Sequence, residues 1–196
     1  MRDAPTRDPL QAVVDWHREA QAVMARDPDA MTLATATPDG VPSARIVLFK
    51  GVDAGDVLFV SNYESKKGRQ IEANPAVALV FYWPELARQI RIEGSARRAS
   101  VEESEAYFRS RPRESKLGAW ASQQSTAIES RAALEQRFAE AEARFSGRDV
   151  ERPPYWGMYR VRAERVELWI GGAHRLHDRF LYERGESDWS IARLSP

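Results

Sequence analysis

Three cations stand where a helix is predicted to begin, in the run Ser65-Lys66-Lys67-Gly68-Arg69. Ser65 is a suitable N-cap residue for that helix. The positive end of the helix dipole disfavours cations in the first turn, by a few tenths to about 1 kcal/mol each. A bound phosphate would remove this conflict, because helix N-termini favour anions. The run therefore indicates a phosphate site, with a solvated basic turn as the alternative.

A six-residue run carries a cation at each end, Arg45 at its start and Lys50 at its finish. Side chains alternate between the two faces of a regular strand, so residues five apart point to opposite faces. Arg45 and Lys50 could therefore contact different ligands, or one ligand and a helix. Ordinary solvation of the strand ends is an equally good explanation of the pattern.

A third cluster combines a phenol, a hydroxyl and several cations. Tyr107 and Arg111 are four residues apart, so they share one face of a predicted helix. Ser115 and Lys116 follow Pro112, where we expect a loop. Phenol, hydroxyl and guanidinium groups that converge would suit a phosphate monoester. Taken alone, such a basic run is more often simply solvated.

A Gly-Gly turn introduces the fourth cluster, between Trp169 and Phe180. Five ionisable side chains follow within six residues, a density that packing between two aromatic residues does not explain. Arg175 and His177 are two residues apart, so they share a face if the chain is extended. We interpret this segment as part of a binding site. Together the four segments favour small phosphorylated ligands, and two such ligands explain them better than one.

The composition limits the chemistry that these clusters can perform. The chain has 196 residues and equal numbers of cationic and anionic side chains, 29 of each, which argues against a generic nucleic-acid binder. It contains no cysteine, which excludes disulfides, thiolate metal sites and cysteine nucleophiles. Its three histidines, His17, His174 and His177, leave little for a histidine-rich site, and we expect no bound metal.

Length and hydropathy indicate the class of protein. A chain of 196 residues that is 43% hydrophobic is long enough for a single domain with a substantial core. No apolar run approaches the length of about 18 residues that a membrane span needs. The first eight residues are polar and lack the apolar stretch of a signal peptide. We therefore expect a soluble, cytoplasmic protein.

Capping residues, turn residues and hydrophobic periodicity predict the strands and helices that position the four clusters. Asp8-Pro9 predicts the start of a first helix, because Asp is a good cap and Pro is tolerated in the first turn. His17 is expected on the surface or the packing face of that helix. Ser100 and Glu103 form a capping box at the start of a later helix. Helices are predicted for residues 9–24, 65–74, 100–110 and 130–145, and strands for 31–37, 43–50, 57–60, 76–82, 89–97, 157–170, 180–183 and 189–193.

Closely spaced strands dominate this pattern. It favours a mainly β protein, an antiparallel barrel with peripheral helices, over a doubly wound α/β sheet. The alternation of residues 157–170 slips at Glu164-Arg165, which predicts a bulge, and residues 51–55 are predicted to form a turn. The sequence contains no G-x-G-x-x-G or phosphate-loop motif, so dinucleotide and nucleoside triphosphate sites lack support.

The four segments, in this order, resemble the pyridoxine/pyridoxamine 5′-phosphate oxidase family. The most specific stretches are residues 45–50 (RIVLFK), 110–120 (SRPRESKLGAW) and 171–182 (GGAHRLHDRFLY), supported by 62–70 (NYESKKGRQ). The resemblance runs from about residue 30 to the C-terminus. It implies an FMN-binding split β-barrel over residues 30–196, preceded by an arm and helix over 1–29. It also implies a homodimer with FMN at the subunit interface.

The resemblance assigns expected roles to individual residues. The flavin would contact Arg45, Ile46, Val47, Leu48, Lys50, Val60, Ser61, Lys66, Lys67, Gln89, Gln124, Ser125, Trp169 and Arg179. The substrate phosphate would be held by Lys50, Tyr107, Arg111 and Ser115. Arg175 and His177 would lie over the pyridine ring, as the catalytic pair. The chain departs from the family at Val60, Ser61 and Lys66, and at Ile170, which replaces a common Gln.

The implied reaction is oxidation of pyridoxine 5′-phosphate or pyridoxamine 5′-phosphate by dioxygen, which gives pyridoxal 5′-phosphate and hydrogen peroxide. The first alternative is a related flavin oxidase of the phenazine-biosynthesis type, which would act on a different ring. A non-catalytic carrier of flavin or pyridoxal phosphate is the second. An RNA-binding module would need aromatic residues interleaved with the cations, and only Tyr63 and Tyr107-Phe108 come close.

Overall fold

The computed structural model describes residues 4–196, so the first three residues of the predicted polar arm lie outside the described part. Its helices are α1 (Pro9–Val23), α2 (Lys66–Ala73), α3 (Val101–Ser110), α4 (Arg113–Ala121) and α5 (Arg131–Arg144). Its strands are β1 (Ala30–Ala36), β2 (Pro42–Asp53), β3 (Asp56–Asn62), β4 (Ala76–Trp83), β5 (Arg88–Arg98), β6 (Trp156–Ile170), β7 (Asp178–Arg184) and β8 (Trp189–Arg193). Within residues 4–196 no helix is long and apolar enough to cross a membrane.

Six of the strands form a closed barrel. They pair in the order β3-β2-β1-β4-β5-β6, and β6 returns to pair with β3. These pairings, and those that add β7 and β8 beyond β6, are antiparallel. The predicted antiparallel barrel with peripheral helices is therefore confirmed.

The long strand β6 takes part in two different pairings along its length. Its first part, residues 156–162, pairs with β3, whereas residues 165–170 pair with β7. Its register against β5 shifts between Ala163, which lies opposite Gly94, and Arg165, which lies opposite Glu93. Glu164 is the extra residue, which confirms the predicted bulge. Bulges bend a strand and increase its twist, so the second part of β6 turns away from β3 and pairs with β7, while it stays paired with β5.

Alternate strand positions fill the barrel interior. Ile90 and Ile92 are fully buried, as their spacing predicted. Leu168 and Val166 lie opposite them on β6 and are equally buried. Helix α1 packs its apolar stripe, which includes Trp16, against the same core. Burial of each large apolar side chain stabilises the fold by about 1.5–3 kcal/mol.

A second, smaller core lies outside the barrel, between α3, α4, α5 and the start of β6. Its buried side chains include Phe108, Leu117, Phe145 and Trp156. Helix α3 begins at the predicted capping box, in which both reciprocal hydrogen bonds are present. This core fixes α3 and α4 against the barrel wall and so positions the side chains that face β2 and β3.

The loop predicted after Pro112 is wrong. Residues 113–121 form helix α4, so Ser115 and Lys116 lie on a helix. Proline is tolerated at a helix N-terminus, so Pro112 separates two helices rather than ending helical structure. Leu117 and Ala121 lie four residues apart and bury the apolar stripe of α4.

The turn predicted over residues 51–55 is too long. Strand β2 continues to Asp53, and only Ala54 and Gly55 form the turn, both with positive φ. Its pairing with β3 is irregular between Phe49 and Val52. This irregularity lets the strand continue past Gly51, a residue that otherwise predicts a break.

Candidate functional site

A cavity of about 490 Å³ opens on the outside of the barrel, where β2 and β3 face α2, α3 and α4. Its lining includes three cations, Lys50, Lys67 and Arg111, and no carboxylate from the described residues. A concave surface of one charge concentrates ligands of the opposite charge. The lining consists of Ile46, Val47, Leu48, Lys50, Val60, Ser61, Asn62, Lys67, Tyr107, Ser110, Arg111, Pro112, Ser115, Gln124 and Trp156. More than half of the predicted site residues are among these.

Lys67 is the most enclosed cation of the cavity, with 8% of its surface exposed. Its Nζ donates to the hydroxyls of Ser61 and Ser65, at 3.2 and 3.4 Å, and to Oε1 of Gln124 at 2.7 Å. Burial, and then the positive charge of Arg45, lowers the pKa of Lys67 to about 8. Because its acceptors are neutral, the ammonium charge remains uncompensated, and a bound anion would be stabilised beside it.

The predicted start of α2 is confirmed. The Ser65 hydroxyl accepts a hydrogen bond from the Gly68 N–H at 3.2 Å. Glycine is required there, because a Cβ atom would lie 2.1 Å from the carbonyl oxygen of Tyr63. Lys67 points into the cavity, whereas Lys66 is exposed and lies outside its lining.

Arg111 lies directly after α3, with its guanidinium carbon 4.5 Å from the centre of the Trp156 ring. Tyr107 stacks on the same indole, with the ring centres 6.3 Å apart. Burial lowers the pKa of Arg111. Its Nη1 is buried and has no hydrogen-bond partner in the described part of the chain. An unpaired buried donor costs about 1–3 kcal/mol, so this nitrogen favours a ligand that accepts a hydrogen bond.

Lys50 enters the cavity from β2, close to a carboxylate outside the lining. Its Nζ lies 3.8 Å from Oδ2 of Asp29, in the loop before β1. His17 of α1 donates from Nε2 to Oδ1 of the same carboxylate at 2.8 Å. The His17 ring packs edge-on against Phe49 at 4.8 Å, so its predicted place on the packing face of α1 is confirmed.

Arg45 and Lys50 point to opposite faces of β2, as predicted. Arg45 lies outside the cavity lining and donates from Nη1 to the carbonyl of Leu33 and the hydroxyl of Thr35. Its Nη2 lies 3.4 Å from Oε1 of Gln70. Burial lowers the pKa of Arg45. The guanidinium is therefore engaged by the protein itself.

An apolar patch lies beside the cations on the cavity side of β2. Ile46 is 61% exposed and Leu48 is 47% exposed, although both are large and aliphatic. Val47, between them, points to the barrel interior and is buried. Exposed aliphatic side chains next to an ionic cavity are suited to cover one face of a flat ring.

The segment between β6 and β7, residues 171–177, is called the strap below. Arg175 and His177 would share a face in an extended chain, but the strap is not extended. The strap contains a 3-10 turn, in which His174 has φ 56° and Arg175 has φ 62°. Gly172 permits the turn, because a Cβ atom there would lie 2.0 Å from the Leu176 carbonyl oxygen.

The two expected catalytic residues differ in their surroundings. His177 accepts a hydrogen bond from the Gly172 N–H at its Nδ1, at 3.1 Å, and its ring lies 4.6 Å from that of Trp169. Arg175 is exposed, and its side chain has no hydrogen-bond or ion-pair partner within residues 4–196. Neither residue lines the cavity.

Three further expected flavin contacts stand in one row across the outer sheet. Gln89 lies opposite Trp169, which lies opposite Arg179. Glu167, which is buried, accepts from Arg179 at 2.7 Å and from Arg91 at 3.1 Å. The hydrogen bond to Glu167 raises the pKa of Arg179. This row lies outside the cavity, as does the exposed residue Ser125 of the α4–α5 loop.

The structure also adds four lining residues that the sequence did not predict: Asn62, Ser110, Pro112 and Trp156. Trp156 matters most, because Arg111 and Tyr107 both pack on it. The sequence predicted that β6 begins at residue 157, one residue after Trp156. The signal that could have found Trp156 is a large aromatic residue at the start of a strand. The described residues contain no group of three or more histidine, aspartate or glutamate side chains that could hold a metal ion.

The closed barrel, the extra strands and the cationic cavity define an antiparallel split-barrel protein. A family model described as pyridoxamine 5′-phosphate oxidase matches residues 17–145. A second model, described as the pyridoxine 5′-phosphate oxidase C-terminal dimerisation region, matches residues 156–196. The chain belongs to the pyridoxamine 5′-phosphate oxidase family.

Two relatives match nearly the whole chain. A pyridoxine/pyridoxamine 5′-phosphate oxidase of Rubrobacter xylanophilus is 57% identical over 194 residues, which cover 99% of this chain and 89% of the relative. One from Paraburkholderia xenovorans is 51% identical over 192 residues, which cover 97% and 90%. The names of these relatives indicate an oxidase.

Solved structures share the fold. PhzG from Burkholderia lata 383, in complex with tetrahydrophenazine-1-carboxylic acid, matches with a TM-score of 0.92 at 33% identity, over 99% of this chain and 95% of that chain. A pyridoxamine 5′-phosphate oxidase-related, FMN-binding protein from Nostoc punctiforme matches over the full length of both chains, with a TM-score of 0.77 at 20% identity. The expected split barrel is therefore confirmed.

Proposed function

We propose that this protein is an FMN-dependent oxidase that converts pyridoxine 5′-phosphate or pyridoxamine 5′-phosphate to pyridoxal 5′-phosphate. The alcohol and one dioxygen give the aldehyde and one hydrogen peroxide. The amine also consumes one water and releases one ammonia. The observation that carries the proposal is the cavity with three cations and no carboxylate among its described lining residues, in a chain of this family.

The cavity fits a cofactor that combines a phosphate with a flat ring. Lys67, Ser61 and Gln124 would hold the phosphate, because their polar atoms already converge at one wall. Ile46 and Leu48 would cover part of the ring, which accounts for their exposure in the single chain. Bound FMN would supply the hydride acceptor and the site of reoxidation by dioxygen.

The substrate phosphate is assigned to Lys50, Tyr107, Arg111 and Ser115. All four line the same cavity, and the unpartnered Nη1 of Arg111 is a donor without an acceptor. Guanidinium and ammonium groups make the strong, charge-assisted hydrogen bonds that a phosphate monoester needs. Anchoring the phosphate would fix the distance of the reacting carbon from the ring that accepts the hydride.

Arg175 and His177 would orient the substrate ring, and Arg175 would stabilise negative charge that develops on it. Within one chain they lie outside the cavity, so the proposal requires a second subunit. The outer face of the sheet carries residues of both regions: Ile46 and Leu48 at the cavity, and Gln89, Trp169 and Arg179 near the strap.

A homodimer with FMN at its interface would bring these two sets together. A two-fold axis uses the same patch on both subunits, so the strap of each would reach the cavity of the other. The match of residues 156–196 to a dimerisation region supports this arrangement. In the proposal the whole chain forms one domain, with the arm and α1 packed on the barrel.

Spectroscopy on the purified protein tests the proposal. A flavin band near about 450 nm should be lost on anaerobic addition of pyridoxine 5′-phosphate and return with air. Peroxide should form in proportion to the pyridoxal 5′-phosphate produced. A protein that binds FMN and pyridoxal 5′-phosphate but produces no peroxide with either substrate would be a carrier and would overturn the oxidase proposal.

The match to PhzG supports a second candidate, a flavin oxidase that acts on a phenazine precursor. The phosphate set favours the first candidate, because a carboxylated tricyclic ring needs no site for a phosphate monoester. Parallel anaerobic titrations with pyridoxine 5′-phosphate and with a reduced phenazine carboxylate distinguish the two. Flavin reduction by the phenazine alone would select the second candidate.

A further inference from the structure

Asp29 places its carboxylate between a histidine and a lysine of the cavity wall. Its Oδ1 accepts from His17 at 2.8 Å, and its Oδ2 lies 3.8 Å from Nζ of Lys50. The backbone carbonyl of Asp29 also accepts from the Phe49 N–H at 2.8 Å, next to Lys50 in sequence. The side chains of His17 and Lys50 are 14% and 18% exposed, so neither is freely solvated.

The distance between Lys50 and Asp29 distinguishes this lysine from Lys67. Lys67 donates three hydrogen bonds to protein acceptors. The separation of 3.8 Å between Lys50 and Asp29 is an ion pair that is too long for a hydrogen bond. The ammonium of Lys50 therefore feels the carboxylate but keeps its N–H donors available for another acceptor in the cavity.

His17 determines how closely the carboxylate can approach Lys50. It fixes one oxygen by a short hydrogen bond, and its ring is held against Phe49 at 4.8 Å. Without that donor, the carboxylate could rotate towards Lys50 and form a hydrogen-bonded pair. Such a bond between an ammonium and a carboxylate is charge-assisted, so it would be shorter and stronger than a neutral hydrogen bond and would occupy a donor of Lys50.

We propose that Asp29 is a positioning residue that competes with a bound phosphate for the ammonium of Lys50, and that His17 limits this competition. The inference deepens the proposed function, because it takes the phosphate set of that function as its ligand site. Its effect is to moderate phosphate affinity. An oxidase must release a product that carries the same phosphate as its substrate, so an affinity below the maximum favours turnover.

The two residues should act with opposite signs. Asp29→Asn removes a negative charge beside the ligand and keeps an acceptor for His17, so phosphate should bind about threefold to tenfold more tightly. His17→Phe keeps a ring against Phe49 but removes the donor, so phosphate should bind about twofold to threefold more weakly. His17→Gln restores a donor and should recover the affinity of the unmodified protein.

Titration calorimetry on the holoprotein measures these affinities with inorganic phosphate and with pyridoxal 5′-phosphate. The double variant Asp29→Asn/His17→Phe should resemble Asp29→Asn, because His17 acts through the carboxylate. In a Lys50→Met background, Asp29→Asn should change the affinity by less than about twofold, since only the long-range charge effect remains. Thermal unfolding of each variant controls for loss of fold.

Unchanged or weaker phosphate binding in Asp29→Asn would overturn the inference, and so would changes of the same sign in both single variants. These outcomes with normal turnover would leave the proposed oxidase function intact. If phosphate affinity changes with opposite signs in the two variants but the substrates never reduce the flavin, the inference is supported and the proposed oxidase function is contradicted. A purely structural role predicts lower stability in both variants and no opposite changes in affinity.

Discussion

The cavity wall and the strap both carry cationic side chains, but these side chains differ in how many hydrogen-bond partners the chain gives them. Lys67 and Arg45 at and behind the cavity are held by several protein acceptors. Arg175 of the strap is exposed and, in the part of the chain described, its side chain has no hydrogen-bond or ion-pair partner. The cations Lys67 and Arg45 are held by hydrogen bonds within the chain, whereas the strap holds its backbone in a turn and leaves the Arg175 side chain exposed. This difference supports the proposal that Arg175 acts on a ligand held by a second subunit.

The substitution Arg175→Ala in the strap should have the largest effect, a loss of activity with little change in stability. We expect kcat/KM to fall by about 10²–10³-fold, because the proposed role of Arg175 is to orient the reacting ring and stabilise the charge that develops on it. The melting temperature should change little, since Arg175 is exposed and its side chain has no hydrogen-bond or ion-pair partner in the described chain. Steady-state kinetics and calorimetric unfolding check both expectations. A large loss of stability would mean that the strap contributes to the fold.

Mixed dimers sharpen the comparison further. Arg175→Ala subunits and Arg111→Leu subunits should each be nearly inactive as homodimers. After unfolding and refolding together, half of the dimers are mixed, and each mixed dimer has one site with an intact cavity and an intact strap. About one quarter of the normal activity should return, because each two-fold site uses both subunits. No recovery would show that cavity and strap act within one chain.

Lys67→Met tests the cavity wall alone. We expect FMN affinity to fall by about 10–100-fold, because a charge-assisted contact to the phosphate is lost. The flavin-free protein should become more stable, by about 1 kcal/mol, since an enclosed ammonium with neutral acceptors is replaced by an apolar chain. Denaturant unfolding of the flavin-free protein measures this. Arg175→Ala is the matched control, because it should leave stability unchanged.

The affinity for FMN should depend on pH through Lys67. Its pKa is lowered to about 8 in the free protein, and a bound phosphate would raise it again. Binding above pH 8 therefore takes up a proton, so affinity should fall with rising pH, by up to about tenfold per pH unit until the ordinary lysine pKa near 10.4. Fluorescence titration from pH 7 to pH 10 measures the slope.

Lys67→Arg is the control for this slope, since its guanidinium stays charged and should remove the dependence. The stability of the flavin-free protein should show the opposite trend in the same interval. The unfolded state binds more protons than the folded state between pH 8 and the ordinary lysine pKa, so the free energy of unfolding should rise with pH. A flat profile for both quantities would contradict the assigned environment of Lys67.

Much of this organisation could be predicted from the sequence, because its signals are local. The Ser65 cap, the capping box before α3 and the bulge at Glu164 each depend on residues close together in the chain. The alternation around Ile90 and Ile92 predicted the buried face of β5. The resemblance to the family supplied the candidate site residues, most of which the structure gathers in one cavity.

The features that were missed depend on packing between distant segments. Helix α4 exists because Leu117 is buried among residues of α3, α5 and β6, and Pro112 alone suggested a loop. Trp156 enters the cavity because the second core places β6 beside Arg111. The turn of the strap follows from a close approach of Gly172 to Leu176, which alternation cannot predict.

The bulge in β6 has a consequence for how this protein family can diversify. Glu164 and Arg165 both point outward opposite Glu93, so loss of Glu164 would restore regular pairing without exchanging buried and exposed positions. Val166 would stay inside and Trp169 outside, but the strand would straighten and carry the strap in a new direction. Deletion of this single residue would therefore change the direction of the strap without changing any side chain that the strap carries.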